Sequence, residues 1–182
     1  ELMKKNGCSA ENWDNIEVHE KFKPERIEKV KFSGKIHLGY FDDKVELFGG
    51  IEYKTGIRNA TIHNCKIGNN CLIDQISNYI ANYDIDDYVI IKNSDIIAAE
   101  TNASFGNGVM VEVLNEGGGR ELPIYDKLTA QIAYLMVIFR HRPEMIAKYK
   151  QMVRDYADKY RSEPGHIATH TQILDCKMIK NV

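Results

Sequence analysis

The amino-acid sequence predicts a mainly β protein in which short strands, joined by tight corners, form stacked coils of about 18 residues, with one α-helical hairpin inserted among them. Three observations predict this fold. An apolar residue recurs every five or six positions, which is too slow for the period of two of a single strand. Gly, Asn or Asp follows that residue and suits a corner. Between residues 124 and 161 the apolar spacing becomes helical.

The recurring apolar residues belong to an internal sequence repeat. Segments 64–73, 82–91 and 102–111 align, and the second offset is two residues longer than the first. The two additional residues predict a short bulging loop between Lys92 and Thr101. The matched columns are Asn64/Asn82/Asn102, Ile67/Ile85/Phe105, Gly68/Asp86/Gly106, Cys71/Val89/Val109 and Ile73/Ile91/Val111.

Each column has a physical reason. The large apolar residue and the small or branched one point inward, and the residue types between them tolerate turn conformations. Three strands joined by such corners complete one coil. Successive coils then stack about 4.8 Å apart with parallel strand pairing and bury a continuous apolar interior.

The pattern divides the chain into four segments. Strands are expected at Val30–Gly39 and Val45–Phe48, in early and irregular coils. The pattern of Ile62–Lys66 returns at Ile173–Lys177, so the coils resume after the helices. The segments are a polar lead-in (1–29), coils (30–123), a helical hairpin (124–161) and a resumed coil region (162–182). The last coil is unfinished at Val182, which predicts that the chain is truncated or that a partner covers its end.

The helical hairpin has two different helices. Apolar residues surround nearly the whole of the first helix, which predicts burial against the coils or a neighbouring subunit. Pro143 suits the first turn of the second helix.

Composition narrows the class of protein. The 182 residues carry a formal charge of −2 and are 43% apolar, which is typical of an ordered protein and gives no basic footprint for nucleic acid. The longest apolar run is about eight residues, short of the roughly 20 that span a bilayer. The four cysteines form no Cys-x-x-Cys pair, which predicts no zinc site and favours apolar packing. No signal peptide begins the chain, so a cytoplasmic location without nucleic-acid or membrane partners is expected.

Residues 62–73, Ile-His-Asn-Cys-Lys-Ile-Gly-Asn-Asn-Cys-Leu-Ile, are similar to the hexapeptide motif of the left-handed parallel β-helix proteins. The clear match covers residues 57–111. The left-handed direction of the coils is implied by the resemblance alone, because connections between parallel strands are otherwise right-handed. More loosely, the whole chain resembles an uncharacterised bacterial hexapeptide-repeat family with a helical insertion.

The resemblance implies an acyltransferase that uses acetyl-CoA and forms a homotrimer with active sites between subunits. It further implies a His as general base on a hydroxyl or amine of a sugar or nucleotide-sugar, since a His titrates near neutral pH. His63, inside the repeat beside Asn64, is the first candidate, and a solvated surface histidine is the alternative. His37, His141, His166 and His170 rank lower, and no histidine matches a specific catalytic motif.

Two further sets of residues are candidates for substrate binding. In the glycine-rich loop 115–121, Glu116 and Arg120 flank glycines whose N–H groups could approach an anion, although a flexible exit from the coils explains the loop equally well. Asn78 and Asn82 place polar groups at a coil corner, where stacked asparagines that hydrogen-bond the backbone are the alternative.

Three functions remain open from the sequence. One is an acyltransferase or related transferase with a small-molecule substrate. Another is a non-catalytic coil module that oligomerises and regulates a larger sugar-nucleotide enzyme, and the last is a structural scaffold. Fold alone does not decide among them.

Overall fold

The structure, a computed structural model, describes residues 1–112, 117–161 and 163–182. Strands hold 41% of the described residues and helices 23%, which confirms the mainly β class. The chain divides into two compact units. The coil unit comprises residues 1–100, 164–180 and 182, and the insert unit comprises the described residues of 101–163 together with 181.

The coil unit contains a ten-stranded sheet in which every pair of neighbouring strands is parallel. A short helix, α1 (Leu2–Lys5), precedes it, and 3-10 turns lie at Trp13–Asn15 and Pro24–Arg26. The strands of this sheet are β1 (Ser9–Ala10), β2 (Ile16–Val18), β3 (Ile27–Leu38), β6 (Gly56–Ile67), β7 (Leu72–Ala81), β8 (Tyr83–Ile85), β9 (Ile90–Ala98), β12 (Gly165–Ile167), β13 (Gln172–Leu174) and β14 (Met178–Lys180).

Between the first two aligned segments, the register of the strands has the predicted period of 18 residues. Leu72 pairs with Ile90, and Ile67 pairs with Ile85, so each residue lies beside the one that the repeat matches to it in the next coil. Isoleucines therefore align in columns, and one column runs from Ile57 through Ile73 and Ile91 to Ile173. The first three of these are fully buried. The apolar interior of the coil unit is thus one stack of side chains that continues from strand to strand.

Corners between the strands are set by asparagine. Five asparagines of the coil unit have φ between 47° and 59°, in the left-handed region that asparagine tolerates better than most residues. Asn70 and Asn82 lie between strands, whereas the other three lie within the long strands β6 and β9. These asparagines are Asn59, Asn64, Asn70, Asn82 and Asn93.

The beginning of the chain differs from the prediction. Residues of the expected lead-in already pair with the sheet, since β1 and β2 both lie parallel to β3. The segment expected to form a coil strand at Val45–Phe48 instead forms an antiparallel hairpin of β4 (Lys44–Leu47) and β5 (Ile51–Lys54). Gly49 and Gly50, both with positive φ, close this hairpin.

The third aligned segment also differs from the prediction. Its strand β10 (Met110–Val111) pairs antiparallel with β11 (Leu122–Pro123) and not with the parallel sheet. Ile173 pairs with Ile91 and takes the place that the alignment gave to Val111. Phe105, Gly106 and Gly108 all have positive φ, so three turn conformations fall within four residues just before β10.

The insert unit contains the predicted helical hairpin, with α2 (Ala130–Ile138), a 3-10 turn (Phe139–His141) and α3 (Pro143–Tyr160). Met136, Tyr149 and Val153 form its buried core. The Tyr149 hydroxyl donates to the Pro123 carbonyl at 2.7 Å and joins α3 to β11. Met136 is the buried residue of α2, whereas Tyr134 and Val137 are exposed, so burial all round this helix remains a prediction. Within the described residues, no helix is long and apolar enough to cross a membrane.

We predict that Ile91→Ala lowers the free energy of unfolding by about 2–5 kcal/mol, because it leaves a cavity in the buried isoleucine column. Ile51→Ala is the matched control, since Ile51 is 57% exposed, and we expect a change below about 0.5 kcal/mol. Urea denaturation of the chain measures both. Equal losses in the two variants would contradict the continuous interior.

Candidate functional site

Polar and charged side chains form one column across five strands of the coil unit. Parallel register aligns Glu17 with His37, His37 with Lys66, Lys66 with Asp84, and Asp84 with His166. Four of them lie between buried chain neighbours, as His37 does between Ile36 and Leu38, whereas Glu17 on the short outer strand has the exposed Val18 beside it. Neighbouring strands are about 4.8 Å apart, so the column spaces these groups at regular short intervals. We call these five residues the charged column.

A groove of about 730 Å³ lies along this column. Its lining includes three carboxylates and two lysines, and Asn64 contributes an amide. The lining comprises Asp14, Asn15, Glu17, Gly34, Lys35, Ile36, His37, Asn64, Cys65, Lys66, Asp84 and Pro164. A volume of this size accommodates a small polar ligand.

His37 is the histidine that lines the groove. Its Nδ1 lies 3.4 Å from Oε2 of Glu17. A carboxylate only accepts hydrogen bonds, so Nδ1 carries the proton in this pair and the lone pair of the neutral ring is on Nε2. In this exposed contact, Nε2 of His37 is the ring nitrogen left able to accept a proton. Glu17 itself comes from the segment expected to be a polar lead-in, so no sequence signal placed it beside His37.

His63 has a different environment. The Lys35 N–H donates to Oδ1 of Asn64 at 2.9 Å, which turns the Asn64 amide nitrogen toward Nε2 of His63 at 2.9 Å. Because that amide nitrogen only donates, Nε2 accepts, and Nδ1 donates to Oγ of Ser33 at 2.8 Å. Both ring nitrogens of the first sequence candidate are thus engaged in holding the corner at Asn64.

The asparagine candidates separate into two kinds. Asn82 has φ of 59° and donates its side-chain amide to the Ala99 carbonyl at 2.7 Å, while its backbone N–H donates to the His63 carbonyl at 3.0 Å. Its polar groups serve the corner, which favours the structural alternative for this residue. Asn78 is exposed on β7 at an irregularity in the register between Ile76 and Tyr79.

Arg120 lies in the insert unit, in a separate groove of about 380 Å³ whose lining includes Arg140 and Lys150. The Arg140 guanidinium donates to the Arg120 carbonyl. Glu121 accepts from the Gly119 N–H at 2.6 Å, and backbone hydrogen bonds lower the pKa of its carboxyl group. One amide of the glycine-rich loop is therefore used within the loop. Glu116 lies outside the described residues.

Two cysteines of the coil unit have thiols with raised pKa values. Cys65 and Cys71 are buried, and desolvation raises the pKa of Cys65 to about 11 and that of Cys71 to about 12. These thiols stay protonated near neutral pH and are poor nucleophiles. No cluster of three metal-ligating side chains occurs among the described residues.

Comparison with known proteins gives the sequence family of this chain. It belongs to the family described as Domain of unknown function (DUF4954), which matches residues 1–182. An uncharacterised protein of Treponema pallidum (strain Nichols) is 27% identical over 192 residues, covering the whole of this chain. The chain spans about a quarter (26%) of the length of that relative. No solved structure matches the chain.

We predict that Gly34→Ala destabilises the chain at the corner beside the groove. A Cβ at Gly34, where φ is +66°, would lie 2.0 Å from Oδ1 of Asn64 and would break its hydrogen bonds to Lys35 and His63. Gly49→Ala is the matched control, because φ is +88° there and nothing lies within 4 Å.

Thermal and urea unfolding should show a loss for Gly34→Ala at least about 1 kcal/mol larger than for Gly49→Ala, the cost of the lost hydrogen bonds. NMR of the His63 ring nitrogens should also show the Nδ1–H tautomer only in the parent chain. Equal losses and an unchanged His63 spectrum would refute this description of the corner.

Proposed function

We propose that the coil unit is a left-handed parallel β-helix of the hexapeptide-repeat class. The parallel register, in which each strand pairs with its counterpart one coil later, supports this proposal, as do the asparagine corners of positive φ. The sequence of residues 62–73 supports the left hand through its similarity to the hexapeptide motif. In this proposal the chain acts in the cytoplasm as a homotrimer, the form in which such proteins place their sites between subunits.

The function we propose is transfer of an acyl group to a hydroxyl or amine of a sugar-like small molecule bound in the groove. The observation that carries it is His37, which lines the groove and faces Glu17 through Nδ1. Nε2 of His37 would take the proton of the acceptor O–H or N–H as its oxygen or nitrogen attacks the acyl carbonyl, and would return that proton to the leaving thiolate. His37 thus replaces His63 as the candidate base.

The groove alone is a poor match for acetyl-CoA, the acyl donor implied by the resemblance. The groove is lined by three carboxylates and by only two lysines, Lys35 and Lys66. The phosphates of acetyl-CoA, by contrast, require an excess of cations. In this proposal the remaining contacts to the donor come from a neighbouring subunit of the trimer. The groove of this chain holds and deprotonates the acceptor.

The test is acetyl transfer from acetyl-CoA to a panel of hexoses and hexosamines by the full-length protein, followed by mass spectrometry of the acetylated product. We expect His37→Gln to lower the rate about 10²–10⁴-fold, the usual contribution of a general base. Glu17→Gln should cause a smaller loss, about 10–100-fold, because it removes only the orientation of the ring.

His170→Gln is the matched control, since His170 is exposed and stacks on Tyr88 away from the groove. We expect no loss of rate in this variant. Absence of any acetylated product would overturn the proposed transfer. A loss confined to His63→Gln, with His37→Gln fully active, would instead restore the first sequence candidate as the base.

A second candidate function is a non-catalytic coil module of a longer protein. The observation that favours it is that the chain spans only about a quarter of the Treponema relative, while both ring nitrogens of His63 serve the coil corner. The same assay separates the two functions. A full-length protein whose catalytic rate is indifferent to both His37→Gln and His63→Gln supports the module.

A further inference from the structure

The groove is lined by charged side chains that form no ion pair with any residue the structure describes. Among the described residues, Asp14, Lys35, Lys66 and Asp84 make no ion pair, although Lys66 and Asp84 are register neighbours. Glu17, by contrast, faces His37. Within the described part of the chain, the groove therefore offers two cations and two carboxylates whose side chains form no ion pair.

The arrangement of these charges is ordered by the coils. Lys66 and Asp84 stand on adjacent strands of the charged column, so their backbones are about 4.8 Å apart. Lys35 lies two residues before His37 on β3, and Asn64 lies two residues before Lys66 on β6, where its amide joins the same wall. A ligand lying along the column would meet a cation and a carboxylate within one small molecule's length.

We infer that the groove binds a small zwitterion that carries both an amine and a carboxylate. Asp84 would receive the ammonium group, and Lys66 would receive the carboxylate. A ligand with only one of these groups would leave the opposite charge of the groove unsatisfied, so the two contacts together determine specificity. This inference rests on the proposed function, because it names the chemical class of the acceptor that the groove would bind.

A set of four sugars tests the two contacts separately. Muramic acid carries an amine and a carboxylate, glucosamine only the amine, glucuronic acid only the carboxylate, and glucose neither. Isothermal titration of the full-length protein with each sugar, in low-salt buffer at pH 7, measures binding without any need for turnover. We expect muramic acid to bind at least ten-fold more tightly than glucosamine or glucuronic acid, and glucose to bind most weakly.

Two variants assign the contacts. Lys66→Gln should reduce the affinity for muramic acid to that for glucosamine while leaving glucosamine binding unchanged. Asp84→Asn should reduce it to that for glucuronic acid. The matched controls are Lys177→Gln and Asp95→Asn, which alter a lysine and an aspartate of similar exposure outside the groove. Neither control should change the affinity for muramic acid.

The outcomes distinguish this inference from the proposed function. Equal affinities for the four sugars, failure of all four to bind, or an equal effect of Lys66→Gln and Lys177→Gln would overturn the zwitterion site, even if acetyl transfer to another acceptor occurs. The expected pattern of affinities without any acetyl transfer would keep the zwitterion site and remove the transferase.

Discussion

The parallel register, which sets each strand beside its counterpart in the next coil, is the constraint on which the rest of the coil unit depends. It places isoleucine over isoleucine in the interior, so that burial of one strand requires the presence of the next. The same register aligns the exposed residues between them, and a one-residue slip would send each of them to the opposite face. The interior and the charged column are therefore two consequences of one geometric rule.

Local chemistry at the corners maintains that register. Asparagines of positive φ turn the chain, and the side chains of two of them hydrogen-bond to backbone on adjacent coils, Asn64 to Lys35 and Asn82 to Ala99. His63 reinforces one such corner by its contacts with Asn64 and Ser33. A histidine used in this way stabilises the wall of the groove, whereas His37, one strand away, presents its ring to the groove itself.

Much of the fold follows from the sequence because its signals are local. The apolar period and the Gly, Asn and Asp positions predict the coils, and the helical spacing predicts α2 and α3 within residues 124–161. The site was harder to predict because it depends on residues far apart in the chain. Glu17 meets His37 only because β2 joins the parallel sheet, and a strand as short as β2 cannot show a period. The third aligned segment, 102–111, was wrongly predicted to be a coil. Its residues Gly106 and Gly108 are of the types found at coil corners, but the turns they make are not followed by a strand of the parallel sheet.

The central claim is that the chain returns after the insert unit and continues the same stack, with β12 on β8. Cysteine cross-linking tests it most directly, in a chain whose half-buried Cys176 is replaced by Ser. Asp84→Cys with His166→Cys joins register neighbours, whose Cα atoms at about 4.8 Å are within disulfide reach. Lys66→Cys with His166→Cys places the two thiols on residues that are two strands apart, which is too far for a disulfide. The account predicts an intramolecular disulfide in the first pair and free thiols in the second; efficient cross-linking of the second pair, or of neither, would contradict it.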